Sequence, residues 1–200
     1  MGGSLPVFRS RSLSIYRFFI QLFIHSVLQT GGPPVPKYLD PLKPCACASS
    51  KPFADCCRPY LRGEREAPDA VSLMRARYSA FALEHAAYIF RTLHPSLPER
   101  SMPEAQAITQ LRRACRSFQY PGVTILDHKE DADAALVLFL ASMSGRGKDE
   151  SFVEKSKFVR EGAVWLYLSG EIRAVRDLDA PLSLTLATFV PAPEKDAPAR

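Results

Sequence analysis

"PDAVSLMRARYSAFALEHAAYIFRTLHPS", residues 68–96, is the stretch of sequence that decides the fold. Asp69 follows Pro68 and belongs to the residue types that cap the first turn of a helix. Residues 70–93 contain no glycine or proline, and the stretch closes with the His-Pro pair at 94–95. Apolar side chains fall on two sides of the helix described by this spacing, so we predict one long helix that is buried on most of its circumference.

A second helix and a set of strands follow this stretch. Apolar side chains recur at helical spacing between 102 and 117 and predict a helix there. Four runs rich in β-branched and aromatic residues come next, separated by turn residues; they are VTILD (123–127), AALVLFLASM (134–143), SFVEKSKFV (151–159) and AVWLYLSG (163–170). Helices followed by successive hairpins predict an α+β fold with an antiparallel sheet.

Four of the five cysteines lie close together in CACASSKPFADCC, residues 45–57. Their spacing is Cys45-x-Cys47-x8-Cys56-Cys57, and the intervening loop is long enough to bring the two pairs around one ion. Four thiolates about 2.3 Å from zinc form a closed tetrahedral site with no position left for a substrate. Disulfides or free thiols are the alternatives, but two disulfides in so short a segment would close small, strained rings. We therefore predict one structural zinc ion held by these four cysteines.

Three parts of the sequence resemble one bacterial family, in the family's order. The cysteine spacing is that of the SEC-C motif, a short zinc-binding module also found at the C-terminus of the SecA translocation ATPase. Residues 68–96 resemble the first-helix signature of YchJ-like proteins, and EKSKFVREGAVWLYLSGE (154–171) resembles their strand-turn-strand. The resemblance implies a domain like nuclear transport factor 2: a curved antiparallel sheet wrapped against helices, forming a cone with a cavity.

The sequence departs from the family's pattern at two places. The Gly-Ser-Gly that follows the second cysteine in the family is Ala48, Ser49 and Ser50 in this chain. A position there that needs a positive φ would cost about 1 kcal/mol, which would weaken a zinc site without abolishing it. The histidine that often precedes the glutamate of the family's penultimate strand is Val153, which argues against histidine-dependent chemistry at that point.

These signals divide the chain into four parts. Residues 1–43 form an N-terminal extension with a Pro-rich linker, and residues 44–60 form the SEC-C-like zinc module. Residues 68–175 form the cone-shaped α+β domain, and residues 176–200 form a C-terminal tail. Because the module is a short appendage, we expect it to unfold alone when its metal is removed, while the cone domain stays folded.

The N-terminal extension is apolar, but a polar residue recurs every four positions between Arg17 and Gln29. The uninterrupted apolar run of roughly 20 residues that spans a bilayer is absent from the sequence, so we predict no spanning segment. A secretory signal, an organelle transit peptide and a translation start further downstream near Val35 are all compatible with this composition. We expect a cytoplasmic bacterial protein, with export or targeting left open.

Charge argues against nucleic acid as a partner. Four of the 26 basic residues precede the first acidic residue, Asp40, so the rest of the chain carries 22 basic against 21 acidic residues. Phosphate binding needs concentrated Lys and Arg side chains, which this balance does not provide.

Five side chains of the cone domain are candidates for a binding cavity. Arg77 and Tyr78 match the family's helix signature and could bind an anion, or Arg77 could form a structural pair with Glu154. His94 lies either at the cavity mouth, where it could act with Glu154 as an acid/base pair, or simply at the end of a helix. Trp165 lies on the last clear strand, where an aromatic side chain either lines a pocket or fills the core.

The sequence favours a binding role over catalysis. It contains no recognisable Ser/His/Asp or Cys/His triad and no phosphate-binding glycine loop, so we assign no catalytic residue. The first hypothesis is a zinc-binding adaptor whose module docks a protein partner, by analogy with SecA. The alternative is a small-molecule-binding protein or enzyme that uses the cone cavity, and a second alternative is a nucleic-acid-binding zinc knuckle.

Overall fold

Helices precede the sheet along the chain, as predicted from the sequence. The structure is a computed structural model that describes residues 40–192, so the predictions for residues 1–39 and 193–200 lie outside the described residues. The α-helices are α1 (Arg58–Leu61), α2 (Ala70–Ala82), α3 (Ala86–Arg91) and α4 (Glu104–Arg116). The strands are β1 (Gln119–Glu130), β2 (Ala134–Gly145), β3 (Lys148–Asp149), β4 (Phe152–Glu161) and β5 (Val164–Ala174).

The long helix predicted over residues 70–93 is in fact two helices, α2 and α3. The predicted cap is confirmed, since the Asp69 carboxylate accepts a hydrogen bond from the Ser72 N–H at 2.6 Å. The helix ends early because Glu84 adopts a φ of 60°, and His85 N–H then bonds Ala80 C=O at 2.8 Å. This is the bond pattern with which helices commonly end at a glycine. The Glu84 carboxylate accepts a hydrogen bond from Arg116 Nε of α4 at 2.7 Å, which ties the break to the next helix.

The sheet is antiparallel, with strand order β1-β2-β4-β5 and β3 paired with β2. Side chains on one face point at the helices, among them Val137 and Phe139 of β2, which are fully buried. Glu154 lies opposite Phe139 in the neighbouring strand and therefore faces the helices as well. The curved sheet and the helices on its inner face confirm the predicted α+β architecture.

The segment after β5 packs on the outer face of the sheet. Residues 178–192, which we call the strap, belong to the tail expected from the sequence. Phe189 is 5% exposed and packs with Leu138 and Val153, and Leu186 N–H bonds the Asp127 carboxylate at 2.8 Å. The described part of the tail is therefore attached to the cone, because it covers apolar side chains that the outer face would otherwise expose to water.

One edge of the sheet is tied to the end of α3. Leu93 forms an isolated parallel bridge with Tyr167 of β5. Tyr167 N–H bonds Thr92 C=O at 2.9 Å, and His94 N–H bonds Tyr167 C=O at 2.8 Å. The chain therefore leaves α3 along the edge of β5. In residues 40–192, no helix has the length and apolar character needed to cross a membrane.

Candidate metal centre

The four clustered cysteines converge on one point at the edge of the cone. Cys45 and Cys47 lie on a tight turn, and Cys56 and Cys57 join a short 3-10 helix (Phe53–Asp55) to α1. All four Sγ atoms lie within 4.8 Å of one another, with 3.6 Å between Cys47 and Cys56 and 3.7 Å between Cys56 and Cys57. The thiols are free. This geometry could hold a metal ion.

The turn that carries the first two cysteines has an unusual backbone. Cys45 N–H bonds Lys51 C=O at 2.9 Å, and Ala48 N–H bonds Cys45 C=O at 3.0 Å. Ala48 and Ser50 adopt φ values of 59° and 65°. These are the two positions where the family pattern has glycine, so the strain expected from the sequence is present at both of them.

The sulfurs are shielded from solvent and lie within hydrogen-bonding distance of one another. Cys45, Cys47 and Cys57 are at most 4% exposed, and Cys56 is half-buried with its Sγ 3.1 Å from Ser49 Oγ. Hydrogen bonding to Cys45 and then to Cys56 lowers the pKa of the Cys47 thiol, whereas hydrogen bonding with Cys45 and Cys47 raises the pKa of the Cys57 thiol. Four adjacent thiols therefore cannot all ionise without a cation between them.

Arg77 and Glu154 lie in the interior of the cone, joined through Tyr167. Arg77 Nη1 donates to Ile89 C=O at 3.0 Å and Thr92 Oγ1 at 2.6 Å, and its guanidinium lies 4.8 Å from the centre of the Tyr167 ring. Glu154 Oε1 accepts hydrogen bonds from Tyr167 OH at 3.0 Å and from the neighbouring serine. No direct Arg77–Glu154 ion pair occurs in this part of the described chain.

Burial shifts the pKa of both groups in the direction of their neutral forms. Burial raises the pKa of the Glu154 carboxyl to about 7 and lowers the pKa of the Arg77 guanidinium. Gly170 of β5 lies against the carboxylate, and a Cβ atom there would overlap Glu154 Oε1. The site is thus built around a close approach of carboxylate and backbone.

The other candidates from the sequence lie apart from this pair. Tyr78 OH donates to Ser142 C=O and accepts from Gly122 N–H, each at 2.7 Å, so it ties α2 to β1 and β2. Trp165 is 2% exposed and forms part of the core. His94 lies at the surface, where Nε2 is 3.0 Å from Glu161 Oε1. The acid/base pair of His94 and Glu154 that the sequence suggested is therefore not formed.

Large side chains line the inner face of the cone beside α2. The cavity beside α2 has a volume of about 20 Å³, which is close to the space of one water molecule. Its lining is apolar and aromatic; it consists of Met74, Tyr78, Phe81, Tyr120, Phe139, Ala141, Met143 and Phe152. This cavity is too small for a ligand because large side chains occupy the space around it. The ligand-sized cavity implied by the family resemblance stays a prediction.

Comparison with known proteins shows the family to which this fold belongs. Residues 69–170, about half of the chain, match the family described as "YchJ, middle NTF2-like domain". The chain belongs to the YchJ family. The YchJ match begins at the cap of α2 and ends in β5, so it covers the cone and leaves the four cysteines on its N-terminal side.

Two solved structures resemble this YchJ-family chain, and both are described as SEC-C motif containing proteins. A SEC-C motif containing protein from Rhodopseudomonas palustris, solved in solution, is 30% identical and has a TM-score of 0.56; the match covers 64% of this chain and 98% of that one. The crystal structure of a SEC-C motif containing protein from Psychrobacter arcticus is 28% identical, with a TM-score of 0.51, and the match covers 63% and 79%. The SEC-C resemblance inferred from the sequence is confirmed.

Several residues of the YchJ-family site were missed from the sequence. Ser79 of α2 contacts Cys45, Gly122 of β1 contacts the cysteine turn, and Tyr167 joins Arg77 to Glu154. Ser79 follows Arg75 by one helical turn, so the sequence places both on one face of α2. It does not show which face the cysteine module covers, because that contact is tertiary.

Proposed function

We propose that this YchJ-family protein binds one structural zinc ion through Cys45, Cys47, Cys56 and Cys57 and uses the resulting module as a docking surface for a protein partner. The observation that carries the proposal is the sulfur geometry. Four sulfurs on a regular tetrahedron with Zn–S bonds of about 2.3 Å lie about 3.8 Å apart. The distances of 3.6 and 3.7 Å between neighbouring Sγ atoms match that spacing before any ion is added.

Two features support a structural and docking role. A four-thiolate site has no open coordination position, so the ion would order the chain and not activate a substrate. The cavity beside α2 has a volume of about 20 Å³, which is far below the 300 Å³ or more of a typical small-molecule site. The surface of the module is therefore better placed than the interior of the cone to recognise a partner.

An apolar side chain is exposed just before the module. Leu42 is 83% exposed, and the adjacent backbone is fixed to the module because Phe53 N–H bonds Lys43 C=O at 2.9 Å. Leu42 is therefore a solvent-exposed position next to the module from which a partner contact can be probed.

The metal is tested by intact mass spectrometry under native and denaturing conditions. We expect one zinc ion per chain in the wild type and none after Cys47→Ser combined with Cys56→Ser. Cys115→Ala is the matched control, since this thiol is buried in the cone away from the cluster, and it should keep the zinc. A metal-free wild type, purified without chelators, would refute the site.

The docking role is tested by site-specific photo-crosslinking in cells. A photoreactive residue at Leu42 should yield a discrete protein adduct that disappears in the Cys47→Ser, Cys56→Ser background. The same probe at Lys157, exposed on β4, is the control and should not yield that adduct. Equal adducts from both positions, or an adduct that is indifferent to the cysteine changes, would remove the docking role and leave the zinc site standing.

A further inference from the structure

Ser79 is a fully buried hydroxyl that faces the cysteine cluster. It belongs to α2 of the cone, its exposed fraction is 0%, and its Oγ lies 3.5 Å from Cys45 Sγ. A buried hydroxyl needs a partner, and Cys45 is the one that the described structure gives to this side chain. Ser79 is therefore placed to fix the position of the Cys45 sulfur.

Arg75 reaches the same cluster from one helical turn earlier. Its Nη1 donates to Cys47 C=O at 3.5 Å. Four thiolates around a divalent cation leave a net charge of −2, and a guanidinium beside the loop offsets part of it. Ser79 and Arg75 thus contact the two cysteines of the first pair, one each.

The turn that carries this pair is also pressed against β1. A Cβ atom at Gly122 would lie 2.7 Å from Ala48 Cβ, so only glycine allows the observed approach. Gly122 itself is held by its N–H bond to Tyr78 OH, which is anchored on α2. The module therefore sits against a rigid surface made of α2 and β1.

We propose that the cone completes the metal site: Ser79 and Arg75 are positioning residues for Cys45 and Cys47, and the affinity for zinc depends on the docked cone. The inference rests on the proposed zinc binding and adds to it a set of supporting residues outside the cysteine module. Residues that orient metal ligands in this way typically change metal affinity by 10- to 100-fold when they are removed.

The test measures zinc affinity of the full chain by competition with a chromophoric chelator. Ser79→Ala removes the hydroxyl with little change of volume in a helix that accepts alanine. We expect at least about a tenfold loss of zinc affinity. Ser72→Ala is the matched control, because Ser72 lies half-buried in the first turn of α2, two helical turns before Ser79, and it should bind zinc like the wild type.

A spectroscopic measurement separates this role from mere packing. In the cobalt-substituted protein, loss of a hydrogen bond to the Cys45 thiolate raises the energy of its lone pairs. The thiolate-to-cobalt charge-transfer band should therefore move to lower energy in Ser79→Ala and stay in place in Ser72→Ala.

Two results would overturn the inference. One is an unchanged zinc affinity in Ser79→Ala. The other is a Ser79→Ala variant that loses the same thermal stability with and without metal and whose cobalt band does not move. Ser79 would then contribute to packing only. Failure of the zinc proposal is distinguishable from both, since it would show as a wild type that retains no zinc.

Discussion

Glu154 and Arg77 place two ionisable side chains inside the cone, and their hydrogen bonds are incomplete. Glu154 Oε2 and Arg77 Nη2 have no hydrogen-bond partner among the described residues, although both are buried. Buried charges that are only partly paired reduce stability. The raised pKa of the Glu154 carboxyl follows from this burial and sets the pH at which the cost appears.

The stability of the cone should therefore depend on Glu154 near neutral pH. The carboxyl has a pKa of about 7 in the folded protein, against 4.5 for an exposed glutamate. The folded state binds more protons between these values, so the free energy of unfolding falls as pH rises through them. We expect Glu154→Gln to gain roughly 2.5 kcal/mol over the wild type between pH 5 and pH 8, measured by urea denaturation.

Comparison with the wild type at each pH cancels the separate pH dependence of metal binding by thiolates. Glu104→Gln is the control, since Glu104 is exposed at the start of α4, and its difference from wild type should change little with pH. A stability difference between Glu154→Gln and wild type that is the same at both pH values would contradict the assignment.

At the scale of elements, the cysteine turn and the strap show two ways in which short segments are held. The turn accepts positive φ at Ala48 and Ser50 without glycine. The strap has almost no regular structure, yet it is held by one buried aromatic side chain and a hydrogen bond to Asp127. In both cases contacts with the cone decide the conformation of a segment that its own sequence would not specify.

Ser50→Gly should tighten metal binding. Ser50 is exposed with φ 65°, so glycine removes a backbone cost of about 1 kcal/mol. We expect zinc affinity to rise about fivefold in chelator competition. Ala46→Gly is the control and should not tighten zinc binding. Ala46 has no positive φ, so glycine there only adds conformational freedom to the unfolded chain. Weaker binding by Ser50→Gly would show that the turn is not strained.

Phe189→Ala should detach the strap. Phe189 is 5% exposed against Leu138 and Val153, and its removal leaves a gap that costs about 3 kcal/mol in the free energy of unfolding. Leu182→Ala is the matched change in the same segment, with a side chain that is 68% exposed, and should cost no more than about 0.5 kcal/mol. Equal effects in guanidinium denaturation would mean that the strap contributes nothing to stability.

For the whole molecule, features that depend on residues close together in the sequence were predicted better than features that depend on tertiary contacts. The cysteine spacing, the Asp69 cap and the run of hairpins are local, and each predicted its element correctly. The break at Glu84 has no such signal, because glycine is the residue that normally marks a left-handed helix end. The size of the cavity beside α2 has no local signal either, since the volume that side chains occupy depends on how sheet and helices meet.

The candidate site was predicted to a similar extent. The clustering of the four cysteines follows from their spacing alone. Their contacts with Ser79 and Gly122 do not, because these residues come from elements 20 or more positions away in the chain. The sequence also suggested that the module is a separate appendage. Cys45, Cys47 and Cys57 belong to the same buried cluster as the cone, so we now expect the module and the cone to stabilise each other.

Metal removal should consequently be felt by the cone. Trp165 is buried on β5 and reports on the cone through its fluorescence. We expect chelation to lower the thermal midpoint seen by Trp165 by at least about 5 °C, given that 1 kcal/mol corresponds to 2–4 °C in a chain of this size. Cys115→Ala should respond to chelation like the wild type. A thermal midpoint at Trp165 that chelation does not change would show that the module unfolds independently of the cone.

The tie between α3 and β5 also affects how the molecule behaves among its own copies. β1 and β5 are the two edges of the sheet, and an open edge is a template on which a second chain can polymerise. Tyr167 already uses both of its backbone groups on Thr92 and His94, while Pro121 in β1 has no N–H to offer. Growth into ribbons by strand addition is thus obstructed at both ends of the sheet, which protects the protein from aggregation at high concentration.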